Sequence, residues 1–385
     1  MNAQPQALSA SDAAVLATAA QARSLELDVL RFLSLTAMCT LHVLSTWWQA
    51  PDLAPQARAV AQLLHDACQF CVPVLFLVSL VLTARRLERD AAKGTVRSVG
   101  SRIGLLARPT FTWLGLYWLV GLALQSQGLA SQWIFRIPLG PSPLATVMLA
   151  VHLWFMLVLL QMEPLFPRVH RAVERLTAGR PARALGLVVA VFALKAAVTG
   201  FMFQPSRAAI GAWMGLAAPF WLDLMVLGAT WPLLQTLLPS RPSLTTFAVW
   251  GLGLPALAAG LNTLEVRYWM GQGVPELLAH SNWRVGNLLY GVALFAAVIV
   301  HKDWLLSRLS ATVSMGLTRF GQSYAYGFYL AHALFLLTAE LLAPRLGWPP
   351  SARLVFMLVM TFGGTGALLL LVSRTPRLGA WLGVR

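Results

Sequence analysis

Apolar runs of roughly membrane length, broken by short polar stretches, recur along almost the whole chain. About 20 mainly apolar residues carry a helix across a hydrocarbon core about 30 Å thick. The pattern predicts ten spans, over 27–47, 60–83, 103–124, 145–166, 184–203, 211–235, 243–263, 285–301, 320–342 and 352–373, the run at 285–301 being the shortest. Pro73, Pro219 and Pro255 fall inside spans; membrane bundles tolerate this because neighbouring groups satisfy the freed backbone. Residues 1–24 are rich in Ala, Gln and Ser and lack the basic-then-apolar order of a cleaved signal peptide. The expected organisation is a disordered cytoplasmic tail over 1–24, one all-α polytopic bundle of about ten helices over 25–375, and a second cytoplasmic tail over 376–385.

Composition agrees with this pattern. Of 385 residues, 58% are hydrophobic and only 11% are charged, against about 45–50% and about 25% in soluble domains. That disfavours a soluble enzyme, and disorder needs the opposite shift. A net charge of +15 would suggest nucleic-acid binding in a soluble protein. Here the basic residues sort by side. The connections 84–102 and 167–183 hold Arg85, Arg86, Arg89, Lys93, Arg97 and Arg102, then Arg168, Arg171, Arg175, Arg180 and Arg183. The alternate connections hold isolated residues such as Arg58, Arg136 and Arg207. Over all loops and tails, with Arg353 at the start of the last span counted to the outer side, nineteen basic residues fall on one side and seven on the other. The positive-inside rule then places both termini in the cytoplasm, and no soluble basic domain is left to bind nucleic acid.

Other chemistry is thinly signalled. There is no phosphate-cradling glycine loop, which argues against direct ATP-driven pumping. No inverted repeat relates the two halves, which weakens a secondary-transporter reading. Cys39, Cys68 and Cys71 lie in apolar stretches, and the single Cys68/Cys71 pair has no partner set for a zinc site.

Ionisable residues inside spans are costly and usually face a cavity or a partner. In the first span Asp28 precedes Arg31 by three residues, a spacing that lets them pair. His42 follows Arg31 by eleven residues, nearly the same helix face, about 16 Å further along. His42 lies about 22 Å and His332 about 18 Å from the cytoplasmic ends of their helices, and His152 about 10 Å from an outer end. Three imidazoles from three helices thus share one layer, which points to a polar cavity; a His₃ metal site is possible by count only. Asp66, beside His65, also reaches the outer layer, and Asp223 sits near mid-span; either could orient a histidine or couple a proton. Lys195 suits a snorkelling or pore-lining role, and Glu163 and Glu340 suit helix ends. Arg102 and Arg108 frame the start of the third span before Pro109, where with Arg31 they could form a basic pocket for phosphate.

These residues carry a resemblance. Leu27-Asp28-Val29-Leu30-Arg31 followed by His42 is similar to the opening Asp-x-x-Arg and later His of the membrane-bound acyltransferase-3 family. Val72-Pro73-Val74-Leu75-Phe76-Leu77-Val78-Ser79 resembles its second-helix motif. His152-Leu153-Trp154-Phe155-Met156-Leu157 resembles its His-Leu-Trp-Phe-Leu stretch, and Tyr329-Leu330-Ala331-His332 its Tyr-Leu-x-His motif. The chain departs from the pattern at Leu80, where Gly usually follows the serine. It departs again at Leu105, which takes the second position of an Arg-x-x-Arg, with Arg108 as a substitute. Within the family, length and the His-Leu-Trp-Phe stretch look most like the enzyme that succinylates periplasmic glucans.

The resemblance implies an acyl-coenzyme A co-substrate entering from the cytoplasm and an acceptor hydroxyl, often on a carbohydrate, near the outer side of the cell inner membrane. It implies no permanently bound cofactor, no metal and no nucleic acid. The expected function is O-acyl transfer of an acetyl or succinyl group. His42 would be the catalytic base, since a free imidazole titrates near about 6.5; a covalent acyl-imidazole is a variant. His152 and His332 would position the acceptor or stabilise the tetrahedral oxygen. Arg31, Arg102 and Arg108 would hold the donor. Intramembrane His and Asp also suit a proton-coupled transporter or exporter of a small solute, and, more weakly, a scaffold for envelope-polymer assembly.

Overall fold

The computed structural model describes residues 10–94, 99–129, 134–138, 146–204, 207, 214–239 and 243–384. The long helices are α1 (Ala10–Trp47), α2 (Pro55–Cys68), α3 (Cys71–Ala92), α4 (Val99–Ser126), α5 (Trp154–Thr177), α6 (Pro181–Met202) and α7 (Leu222–Leu234). They are followed by α8 (Leu244–Gly271), α9 (Val285–Val300), α10 (Ala311–Leu346), α11 (Pro350–Val372) and the short α12 (Pro376–Leu382). By length and apolar composition, six stretches among the described residues can cross a membrane: Leu25–Trp47, Pro55–Ala92, α6, α8, α10 and α11.

Burial sorts these helices into centre and periphery. The apolar windows of Leu25–Trp47 and Pro55–Ala92 are about two thirds buried, whereas those of α6 and α8 are 11% buried. The inner pair thus forms the axis of the molecule, and α6 and α8 turn apolar side chains outward, as lipid contact requires. One continuous core joins Leu30 and Met38 of α1, Phe76 and Leu77 of α3, Phe155 and Val158 of α5, Leu224 of α7 and Leu330 of α10.

Small residues set the closest approaches. A Cβ on Gly228 of α7 would lie 2.6 Å from the Leu80 Cβ of α3, and one on Gly291 of α9 2.5 Å from the Pro73 Cβ. In lipid, helices associate largely through such packing. Gly228→Val is therefore expected to destabilise the α3–α7 contact by about 1–3 kcal/mol, the usual cost of overpacking, read as a lowered midpoint in detergent thermal unfolding. An unchanged midpoint would refute that contact.

Three parts of the chain differ from the sequence expectation. The fourth predicted span, 145–166, opens not as helix but as the second strand of an antiparallel hairpin, β1 (Ile134–Pro138) with β2 (Thr146–Ala150). Ile134 faces Ala150 and Pro138 faces Thr146. A 3₁₀ turn over Val151–Leu153 follows before α5 begins. A short apolar run fits buried helix and buried strand equally well, and β-branched Ile137, Thr146 and Val147 favour the strand. The sixth predicted span, 211–235, is interrupted by a turn at 215–217 and resumes through a 3₁₀ turn at Ala218–Trp221, with Pro219 in the first turn, where its missing N–H costs nothing; its positions 211–213 lie outside the described residues. The ends also carry structure where tails were expected. α1 already begins at Ala10. At the other end Trp113 of α4 donates Nε1–H to the Leu382 carbonyl at 3.3 Å, and Val384 is buried against Gly327.

Candidate active site

α1 carries Arg31, Leu35 and His42 at offsets of four and seven residues, so they line one stripe of the helix. α10 carries Tyr329 and His332 three residues apart, also on one face. The two stripes meet at their histidines. His42 Nδ1 lies 3.0 Å from His332 Nε2, and the rings stack with centroids 5.2 Å apart and an interplanar angle of 13°. His152 joins from the 3₁₀ turn before α5, its ring edge-on to His332 at 4.9 Å. The depth match expected from sequence is therefore a contact. For His152 it arises by a different route, because strand β2 climbs about 3.3 Å per residue where a helix was assumed.

The hydrogen bonds assign the protons. His332 Nδ1 lies 2.7 Å from the Tyr329 carbonyl. A carbonyl only accepts, so Nδ1 carries the proton, and in the neutral ring Nε2 holds the lone pair. His42 must then donate Nδ1–H to His332 Nε2, which leaves the lone pair of His42 on its own Nε2. His152 donates Nε2–H to the Leu330 carbonyl at 3.3 Å. Its Nδ1 is buried and has no hydrogen-bond partner. The Tyr329 hydroxyl donates to the His152 carbonyl, and Tyr117 donates to the Leu330 carbonyl at 2.9 Å. Backbone carbonyls of α10 and of the turn thus lock the imidazoles in place.

On the arginine side of this layer lies a cavity of about 600 Å³, walled by Arg31 and Leu35 of α1, Ser79 and Arg86 of α3, Arg102 of α4, and Tyr326 and Tyr329 of α10. None of the three imidazoles lines it. Tyr329 and Phe155, with ring centroids 5.3 Å apart, stand at its imidazole end. Tyr329 is one helical turn from His332, so this aromatic pair stands between the cavity and the packed imidazoles.

The arginines are held by buried carboxylates. Arg31 donates Nη1–H to Asp28 Oδ1 at 2.7 Å and to the Gly321 carbonyl at 3.3 Å. The second bond is available because α10 opens into a π-helical turn over Phe320–Tyr324. A side chain at 321 would collide with Asp28, whose Oδ1 would lie 2.2 Å from an added Cβ. Arg102 Nε reaches Glu163 of α5 at 3.0 Å. The Asp28–Arg31 pair was legible in the sequence, but Glu163, taken there as interfacial, is 4% exposed and anchors Arg102. Arg108, expected from sequence beside Arg102, stands apart from this wall. It lies on the exposed side of α4, 4.8 Å over the Trp381 ring, and does not line the cavity. Six residues, about one and two-thirds turns of α4, place Arg108 on a different face from Arg102, and Arg86 supplies the third arginine of the wall.

A family model described as an acyltransferase domain (Acyl_transf_3) matches residues 24–370. The chain belongs to the acyltransferase-3 family. It is a multi-pass membrane acyltransferase, and the match spans the chain from the stripe of α1 to most of α11. No curated protein and no solved structure matches it. The acyltransferase brings together five of the six residues singled out from sequence: His42, His152 and His332 in one cluster, Arg31 and Arg102 in one wall.

Of the other intramembrane groups, Lys195 donates to the Phe220 carbonyl at 2.7 Å and sits 3.3 Å above the Phe220 ring. Both Asp223 oxygens are buried without a hydrogen bond, so Asp223 orients no histidine. Asp66 does orient histidines, but those of a second cluster. The residues that sequence reasoning missed, Arg86 and Glu163, sit in ordinary helix-end composition, and their only signal would have been matching depth and face.

Proposed function

We propose that this acyltransferase moves an acyl group, acetyl or succinyl, from acyl-coenzyme A in the cytoplasm to a carbohydrate hydroxyl at the outer side of the cell inner membrane. In this reading the chain crosses the bilayer ten times, with both termini and the arginine-walled cavity on the cytoplasmic side. The donor's phosphates lie against Arg31, Arg86 and Arg102, since guanidinium forks suit phosphate oxygens. The pantetheine arm runs along Leu35 and Leu75 towards Tyr329. A shift of the Tyr329 ring admits the thioester to the imidazole layer.

There His42 Nε2 takes the proton of the acceptor hydroxyl as its oxygen attacks the thioester carbonyl carbon. The carbon–sulfur bond breaks, the proton passes to the departing thiolate, and coenzyme A leaves as the free thiol. His152, close to His332, positions the acceptor, its buried Nδ1 being able to accept a hydrogen bond from a hydroxyl. The observation that supports this reading is the hydrogen-bond order of the His42–His332 pair, which leaves a lone pair on His42 Nε2, in a layer parted from the arginine-walled cavity by Tyr329 and Phe155.

Membranes incubated with radiolabelled acetyl- or succinyl-coenzyme A are expected to place label on a polysaccharide fraction. Label that crosses the membrane without being transferred would favour the solute transporter instead. For the donor site, Arg31→Lys is the informative variant, because it leaves Asp28 a cationic partner while removing the guanidinium fork. Donor affinity is expected to fall by about tenfold, the scale of one charge-assisted hydrogen bond, measured by equilibrium binding of acyl-coenzyme A. Unchanged affinity would remove the phosphate assignment.

A further inference from the structure

A second polar cluster lies apart from the imidazole pair. The last turn of α2 carries His65 and Asp66, and the turn after Glu276–Ala279 brings His280 against them. Asp66 Oδ1 lies 3.0 Å from His280 Nδ1 and 3.4 Å from His65 Nδ1. The three donor atoms fall within 4.8 Å of one another. All three side chains are more than nine tenths buried. Trp48, in the turn just after α1, covers the group, its ring 4.5 Å from that of His65 and 5.6 Å from that of His280.

The surroundings fix the donors firmly. Gln69 donates to the His280 carbonyl at 3.1 Å and accepts from Asn262 at 2.9 Å and from Arg284 at 2.5 Å. Tyr290 donates to the Ala67 carbonyl at 2.9 Å, holding the end of α2. Arg284 is the charge that could oppose a cation, and it is fully buried. Its carboxylate neighbour is Glu265, at 3.9 Å, and its other bonds go to Gln69 and to the carbonyls of Asn262 and Ser281. Arg284 thus has Glu265 as its carboxylate neighbour, and Asp66 is the carboxylate that faces the two imidazoles.

We propose that His65, Asp66 and His280 form a zinc site that clamps the 276–284 turn to α2. Two imidazole nitrogens and one carboxylate oxygen are the donor set that suits zinc, with a fourth position left for water or ligand. Donors on tetrahedral zinc lie about 3.3–3.6 Å apart at the usual bond lengths of about 2.0–2.2 Å, within a few tenths of an ångström of the two nitrogen–oxygen separations seen. Calcium and magnesium prefer oxygen ligands and do not match two nitrogens. Each ring would bind through Nδ1 and carry its proton on Nε2. The aromatic cover of Trp48 lowers the local dielectric, which strengthens ion binding once the donors are in place.

The test is zinc binding by purified full-length protein, stripped with chelator and dialysed against zinc. Wild type is expected to hold one zinc per chain. Asp66→Asn and His280→Gln should each weaken binding by at least about tenfold. His42→Ala should keep the full stoichiometry, since its ring is not a donor here. Because a buried variant can misfold, a second readout uses wild type alone: zinc should protect His280 from diethyl pyrocarbonate, followed by peptide mass spectrometry. Wild type that retains no zinc, zinc that survives in both cluster variants, or zinc that is lost with His42 would each overturn the proposal.

Discussion

Purified His42→Ala protein is expected to bind acyl-coenzyme A as wild type does and to lose acyl transfer by about 10²- to 10⁴-fold, the range a positioned general base supplies. The separation of binding from turnover follows from geometry. His42 does not line the cavity that holds Arg31, Arg86 and Arg102, so its truncation should leave the phosphate contacts proposed there in place. What disappears is the lone pair on Nε2, whose position depends on the Nδ1–H bond to His332 at 3.0 Å. Folding is checked by thermal unfolding, and His42→Gln, which keeps a polar side chain of similar reach but cannot act as a base at neutral pH, should be as inactive as alanine. Turnover near wild type in either variant removes His42 from the chemistry.

The second large effect concerns a residue that need not touch the reacting atoms. His332 accepts from His42 at Nε2 and is itself fixed through Nδ1–H on the Tyr329 carbonyl. His332→Leu removes the acceptor, and His42 then loses both its tautomer preference and its ring orientation. The expected cost is a fall in kcat of about 10²-fold or more; loss of the orienting partner costs about 10⁴ in the serine protease triad. KM for the donor should hold steady. His332→Gln, whose amide oxygen can still accept from His42, is expected to recover part of the loss. Equal damage in both variants, or a change confined to donor KM, would show that His332 serves packing rather than proton order.

Much of this site could be read from the chain alone, for identifiable reasons. Asp28, Arg31 and His42 share one helix, where residue spacing translates directly into face and depth. His332 follows the same logic on α10. His152 reached the right layer although its local structure is a strand and a tight turn, because an apolar run of that length leaves the choice between helix and strand open. Arg108 and Glu163 show where such reasoning stops. Which of two arginines on one helix turns inward depends on partners from other helices, and the partner of Arg102 lies about sixty positions away on α5. The His65–Asp66–His280 cluster was invisible for the same reason, since its third member comes from a turn far along the chain. The ten apolar runs were legible as lengths, but the hairpin before α5 and the docked chain end at α12 depend on contacts that composition does not encode.

The central claim is that the arginine-walled cavity delivers a thioester to the His42–His332 pair. The most direct measurement is a structure determined with a non-hydrolysable acyl-coenzyme A analogue. Phosphate density against Arg31, Arg86 and Arg102, a displaced Tyr329 ring, and the acyl carbonyl next to His42 Nε2 is the predicted result. An analogue whose phosphates lie elsewhere, or whose acyl end stays below an unmoved Tyr329, would contradict it.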